Sequence, residues 1–286
     1  MSRRVVITGA GIISSIGVGV DEFWRQCLQA QSAVAPIPEP WFRYADFHSR
    51  LWSPLPEIDP ESFGVSRPER LQLDPVSVLA IGAAREALER AGFTLVPSAT
   101  HSRALALAGI DAARIGVYLG TGIGGAHSFL DNHSFHLFQR ARATLKAYAQ
   151  ERPPAEGSEA LDNVLASMAH GRRYHPFVVS MLMPNAASAA VGIKFSTTGP
   201  NVTSCVACSA GTVAVGHAYR AVHDAHVDIA ATGGSEYLYD EHGHIFRGFD
   251  VAGTLVRDCA DPKGANRPFD EKRSGFLFSQ GGAAVL

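Results

Sequence analysis

Two of the chain's four cysteines, Cys205 and Cys208, stand three apart in the run TSCVACSAGTVAVG at residues 203–216. Three chemistries use such a pair: a zinc site, a dithiol redox couple, or one nucleophile beside a bystander. Zinc takes four ligands, normally as two pairs. Cys27 and Cys259 are isolated, and no histidine pair at finger spacing lies near, so no metal is expected here. A redox Cys-x-x-Cys suits a helix start, but it belongs near the first strand of a small fold, and this one lies two-thirds along a large chain. Both thiols could also be small buried hydrophobes. Position favours one nucleophile. The pattern puts Cys205 in a strand, packed, and Cys208 at a strand-to-helix junction, where free N–H groups and the helix dipole stabilise a thiolate. Ser209, Ala210 and Gly211 leave room for a substrate carbonyl, and the Cys208 N–H could donate to an oxyanion.

The elements around that junction follow from periodicity and punctuation. Residues 5–8 predict a strand running into Gly9-Ala10-Gly11, and residues 20–30 a helix. Residues 36–66, rich in proline and aromatics, predict an ordered excursion of loops. Asp74-Pro75 caps a helix carried by Ala80, Ala84, Ala87, Leu88 and Ala91 and closed by Gly92. A strand over 115–119 ends in GTGIGG. Residues 137–150 and 160–170 are helix-like around the polar ERPPAEGSE, which predicts a helical surface insertion over about 136–172. One apolar helix over 177–195, a strand over 202–206, a helix ending near 225 and a strand over 228–232 complete the pattern. Strands alternating with helices imply an α/β fold with a mostly parallel sheet.

The totals exclude several classes. The 286 residues allow one large domain or two small ones, and a net charge of −2 with 18% charged residues argues against nucleic-acid binding. The opening MSRRVVITG lacks the apolar core of a signal peptide. The longest apolar stretch, residues 178–191, is broken by Pro184 and Asn185 and is too short to span a bilayer. A cytoplasmic chain with reduced cysteines, no membrane and no nucleic-acid partner is the expectation. The sequence stops at GGAAVL inside an apolar run with no turn or cap, which predicts a domain cut short.

Two glycine loops invite a nucleotide reading. GTGIGG at 120–125 matches G-x-G-x-x-G after a strand, and Gly9 to Ser14 nearly matches it. Neither is followed by a short helix, a second strand and an acidic residue at the required distance, and no Gly-Lys-Ser/Thr follows. No cofactor is expected.

The run around Cys208 resembles the nucleophile elbow of the β-ketoacyl-acyl-carrier-protein synthases, condensing enzymes of the thiolase superfamily. RRVVITGAGIISSIG, YLGTGIGG, ATGGSE and NRPFDEKRSGF agree with that family in order and spacing. The resemblance implies a thiolase-like layered α-β-α-β-α fold, of which residues 1–286 would supply the amino-terminal half, the carboxy-terminal half being absent. It implies an acyl chain carried on Cys208, Gly122 and Ile123 at the floor and gate of the acyl pocket, and Val178 toward the pocket of a dimer partner. It further implies an acyl carrier protein as partner, received by Arg67, Arg70 and Arg267, and a homodimer or a heterodimer with another ketosynthase-type subunit. The family's paired histidines sit in motifs such as His-Gly-Thr and Gly-Gly-His-Asn, which are absent here. DNHSFH at 131–136 and HDAH at 223–226 are read as surface, and His217 as pointing away from the elbow. RSGF and SQGG replace the family's Arg-Asp-Gly-Phe and Gly-Glu-Gly-Ala. With the helical insertion, they point to a specialised polyketide- or polyene-type synthase rather than a housekeeping one, within an overall expectation of fatty acid or polyketide/polyene synthesis. The alternatives are a chain-length-factor-like subunit and an inert dimerisation module.

Overall fold

A computed structural model describes residues 3–150, 174–257, 259 and 261–286. Its centre is a six-stranded sheet. The strands are β1 (Ala10–Ser14), β2 (Gly17–Val18), β7 (Ile115–Gly120), β8 (Asn201–Ser204), β9 (Ile229–Glu236) and β11 (Gly281–Val285), in the order β2-β1-β11-β9-β7-β8. Only β9-β7 and β7-β8 run parallel; β1, β2 and β11 pair antiparallel. The sheet is therefore mixed, because the hairpin β1-β2 and the returning β11 form its other half.

Every residue of β7 is buried, as a strand covered on both faces must be. Its alternate residues divide between two cores. Ile115, Val117 and Leu119 pack with helices α3 (Pro75–Arg90) and α6 (Ala186–Lys194), whereas Tyr118 packs with Ala218 and Ala221 of α7 (Ala210–His223). Helices thus cover both faces of one sheet. Asp74 caps α3 as the sequence predicts: its Oδ1 accepts from Val76 N at 2.9 Å and its Oδ2 from Ser128 N at 3.0 Å. The second carboxylate oxygen ties in α4 (Ala126–Gln150), which contains the expected helix at 137–150; the expected helix at 160–170 lies outside the described residues.

Gly9 and Gly11 serve this packing. A Cβ at either position would overlap the carbonyl oxygen of Ala87 or Ala83 in α3. The glycines let strand and helix backbones touch, and no phosphate is needed to explain them. The predicted strand over 5–8 does not form; Val6 and Ile7 are 56% and 71% exposed. Regular pairing begins at Ala10, opposite Val285, and the ladder ends where Leu286 N donates to Gly9 O at 2.9 Å and Thr8 N to Leu286 O at 2.8 Å. Among the described residues no strand pairs with residues 3–7.

The excursion at 36–66 is ordered by a second core. The strands β3 (Ala35–Pro36), β4 (Leu51–Ser53) and β10 (Phe278–Ser279) form a small sheet over Trp41, Phe47, Trp52, Phe246 and Phe278. A hairpin of β5 (Leu95–Pro97) and β6 (Leu105–Leu107) and helix α1 (Val20–Leu28) lie at the periphery. The single helix expected over 177–195 is two, α5 (Val178–Leu182) and α6. Pro184 disfavours helical geometry at Met183, which is extended with ψ 134°. Among the described residues no helix is long and apolar enough to cross a membrane.

Candidate active site

β8 stops at Ser204, opposite the last residue of β7, Gly120, and Ser204 O accepts from Thr121 N at 3.1 Å. Residues 205–209 leave the ladder and are exposed. This corrects the expectation for Cys205: it has no strand partner and is not packed. Its Sγ donates to Gly122 O at 3.5 Å instead. The chain then reverses. Ala207 holds φ +52° in the left-handed region, a conformation that costs a non-glycine residue about 1–2 kcal/mol. A short 3₁₀ turn, Ala207–Ser209, follows, closed by the Ser209 hydroxyl on Val206 O at 2.8 Å, and α7 begins at Ala210. Cys208 is therefore displayed on a sharp turn before the first helical residue, among backbone N–H groups that no helical carbonyl occupies.

The turn sits hard against the sheet because its neighbours lack side chains. A Cβ on Gly120 would overlap the carbonyl carbon of Ala210, and one on Gly234 would lie 2.9 Å from Gly120 O. On the other side, the loop after β7 is held by Glu236 at the end of β9. Its carboxylate accepts from Gly122 N, from Ile123 N at 3.2 Å and from the Thr121 hydroxyl at 3.3 Å. Thr121 Oγ1 in turn accepts from Gly124 N at 3.1 Å. The run of N–H groups that could cradle a phosphate already binds the protein's own carboxylate, so the nucleotide reading of GTGIGG fails on geometry as well as on pattern.

Cys208, Gly122 and Ile123 line one cavity of about 570 Å³, within the range of small-molecule sites. Its walls are largely apolar: Ile12 and Ile13 from β1, Leu238, Phe249 and Phe276. Glu236, Phe249 and Phe276 were missed from sequence. Glu236 had a signal, an acidic residue closing the strand after Gly233-Gly234, whereas the two phenylalanines reach the cavity only through long-range packing. Val178 is not among the lining residues; it is 2% exposed inside this chain, and its neighbour Val179, 69% exposed, is the one that faces outward. Arg67 and Arg70 lie apart on the short helix α2 (Arg67–Arg70), exposed and without a salt bridge among the described residues. That helix is fixed by Glu69, which accepts from Ser66 N at 2.8 Å and pairs with the buried Lys194 at 3.0 Å. Arg267 is exposed and pairs with Asp270 at 3.6 Å. No histidine is among the cavity's described lining residues; His133, His136, His217 and His226 are exposed.

Burial pushes the Glu236 carboxyl above its ordinary range, against the pull of the Gly122, Ile123 and Thr121 donors. The folded state therefore favours the protonated form. The stability this group contributes is complete below the ordinary carboxyl pKa of about 4.3 and is lost as pH rises through the raised value. Measured against Glu236→Gln, which cannot titrate, wild-type stability in urea should decline as pH rises above the ordinary carboxyl pKa of about 4.3. A difference that grows in favour of the wild type as pH rises would contradict this. Glu236→Ala leaves the loop N–H groups without their acceptor and should cost about 1–2 kcal/mol.

The chain matches the family described as "Beta-ketoacyl synthase, N-terminal domain" over residues 2–286. It is 27% identical over 284 residues to the 3-oxoacyl-[acyl-carrier-protein] synthase 2 of Synechocystis sp., covering 99% of this chain and 57% of that protein. The chain thus spans somewhat over half the length of the curated relatives it matches. A β-ketoacyl synthase from Burkholderia phymatum and the ishigamide ketosynthase/chain length factor each superpose with a TM-score of 0.72 at 23% identity, covering 100% of this chain and 58% of theirs. The elbow, the glycine contacts behind it and the match from end to end agree, and the chain belongs to the β-ketoacyl synthase family, with the thiolase-like fold.

Proposed function

We propose that this chain carries the nucleophile of a β-ketoacyl-acyl-carrier-protein synthase. The observation that carries the reading is the exposed Cys208 on a strained turn at the start of α7, opening on an apolar cavity. The Cys208 thiolate attacks the carbonyl carbon of an acyl thioester, and a new C–S bond forms as the carrier's C–S bond breaks. The carrier leaves as a thiolate that takes up the proton Cys208 gave to solvent. A malonyl thioester then loses carbon dioxide, its carbanion attacks the acyl carbon, and the Cys208 thiolate is released. Gly122 and Ile123 form the floor and gate of the acyl cavity. Acyl capture needs the nucleophile, the helix start and one N–H donor. Condensation also needs general acid–base groups, worth about 10²–10⁴-fold, and the proposal draws its histidines from outside these residues. A chain-length-factor-like or inert subunit is disfavoured by the exposure of Cys208, since a packed cysteine would suit it better.

The partner is an acyl carrier protein, as the name of the Synechocystis relative suggests. Arg67 and Arg70, exposed on a clamped helix, are its proposed landing points; Arg267, already paired with Asp270, contributes less. A second copy or a related ketosynthase subunit would add to β8, an edge strand of the sheet that exposes Val202, with Val206 exposed beyond its end. Sedimentation at micromolar concentration reads this part, and a monodisperse monomer would count against it.

Incubation with an acyl-loaded carrier protein should add one acyl mass to the chain, and Cys208→Ala should remove that adduct. Adding malonyl carrier protein should give no ketoacyl product above background. An adduct that survives Cys208→Ala would overturn the assignment of the nucleophile. Robust condensation by this chain alone would show that one of its own histidines acts.

A further inference from the structure

Between β9 and helix α8 (His244–Val251) the chain reads Tyr-Asp-Glu-His-Gly-His, residues 239–244. A carboxylate oxygen of Asp240 and one ring nitrogen each of His242 and His244 lie within 4.8 Å of one another. The Asp-x-His-x-His spacing fits no zinc-finger pattern, and the three residues line no part of the Cys208 cavity.

The loop is built, not loosely draped. Asp240 is 1% exposed, and its carboxylate accepts from His242 N at 3.1 Å, His244 N at 2.9 Å and Ile245 N at 2.9 Å. Gly243, at φ +73°, lies so close to the Trp41 ring that a Cβ would sit 2.6 Å from it. His242 is 7% exposed, its ring edge-on to Tyr44 at 4.5 Å and 5.2 Å from Phe138. Yet its Nδ1 is buried with no hydrogen-bond partner. A buried unsatisfied nitrogen costs about 1–3 kcal/mol, and natural structures seldom leave one without water or an ion.

The surroundings are also short of positive charge. Asp131 accepts from Glu241 N at 3.2 Å, so three carboxylates gather here. Among the described residues none of Asp131, Asp240 and Glu241 pairs with a lysine or arginine; the salt-bridge partners are His127 for Asp131 and His244 for Asp240. The His244 Nδ1 to Asp240 Oδ1 separation is 3.3 Å. Two ligands on one tetrahedral ion, with bonds of about 2.1 Å, sit roughly 3.4 Å apart. Rotation of the exposed His244 ring would complete the set with His242.

We propose that Asp240, His242 and His244 form a binding site for a first-row divalent transition metal ion of the zinc class. Two imidazoles and a carboxylate are the donor set such ions favour, with water in the remaining positions. The ion would tie the end of the β9 loop to the first turn of α8. That helix carries Phe249 into the Cys208 cavity, so the metal would brace one wall of it.

The test uses the whole chain, stripped with a chelator and titrated with Zn²⁺ by calorimetry and with Co²⁺ by visible absorption. One equivalent should bind, with cobalt bands of a nitrogen–oxygen site and no thiolate charge transfer. His244→Ala, at an exposed side chain, should weaken binding at least about tenfold, and His242→Phe should do the same while keeping the buried volume filled. A Cys205→Ser/Cys208→Ser double variant should bind as the wild type does. The proposal fails if wild type shows no saturable binding, if His244→Ala binds unchanged, or if the cysteine variant loses the ion.

Discussion

The half-buried carboxylate of Glu236 decides the shape of the site. It stands at the end of β9 and takes the N–H groups of Gly122 and Ile123 together with the Thr121 hydroxyl. Those are the first residues after β7, and without an internal acceptor the loop would have several donors facing a half-buried space. With it, the loop is drawn over the ends of β7 and β9, Gly122 O is turned toward the Cys205 thiol, and Ile123 is left among the residues that line the cavity. A charged group is costly to bury, and Glu236 is accordingly pushed toward its protonated form. The site accepts this cost in exchange for a loop that needs no ligand to order it.

The second constraint is backbone proximity. Gly120 and Gly234 leave the strand ends and the helix start in direct contact, and a Cβ on Gly120 would fall 2.5 Å from Gly211 N in the first turn of α7. Ala207 completes the reversal in a left-handed conformation that alanine adopts only under constraint. The result is a cysteine carried by two rigid elements, β8 and α7, and presented by a turn of three residues. Reactive groups held this way keep their direction without help from neighbouring side chains. The aromatic core around Trp41 supports the opposite wall through Phe246, Phe249 and Phe278.

Much of this was legible in the sequence, for identifiable reasons. The Asp74-Pro75 start of α3, its glycine stop and the wholly apolar β7 are local signals, and each appears where the pattern puts it. The Cys208 turn was legible because small residues at a strand-to-helix junction have few other uses. Other features depend on partners distant in sequence. The placement of Cys205 turns on where β7 ends, 85 residues earlier. The start of β1 turns on its pairing with the last residues of the chain. Glu236 was marked only by closing the strand after Gly233-Gly234, and its partners Gly122 and Ile123 follow the neighbouring strand β7, more than a hundred residues earlier. Val178 was carried over from a resemblance, and the interior of this chain already occupies its side chain.

Site-resolved alkylation tests the account most directly. All four cysteines lie among the described residues, and Cys27, Cys205 and Cys208 are exposed, so access alone does not rank them. If the turn and the helix start activate one thiol, limiting iodoacetamide followed by peptide mapping should label Cys208 first, ahead of Cys205, Cys27 and Cys259. Preferential labelling of Cys205, or equal rates at all the exposed thiols, would contradict the claim that this fold builds its nucleophile at Cys208.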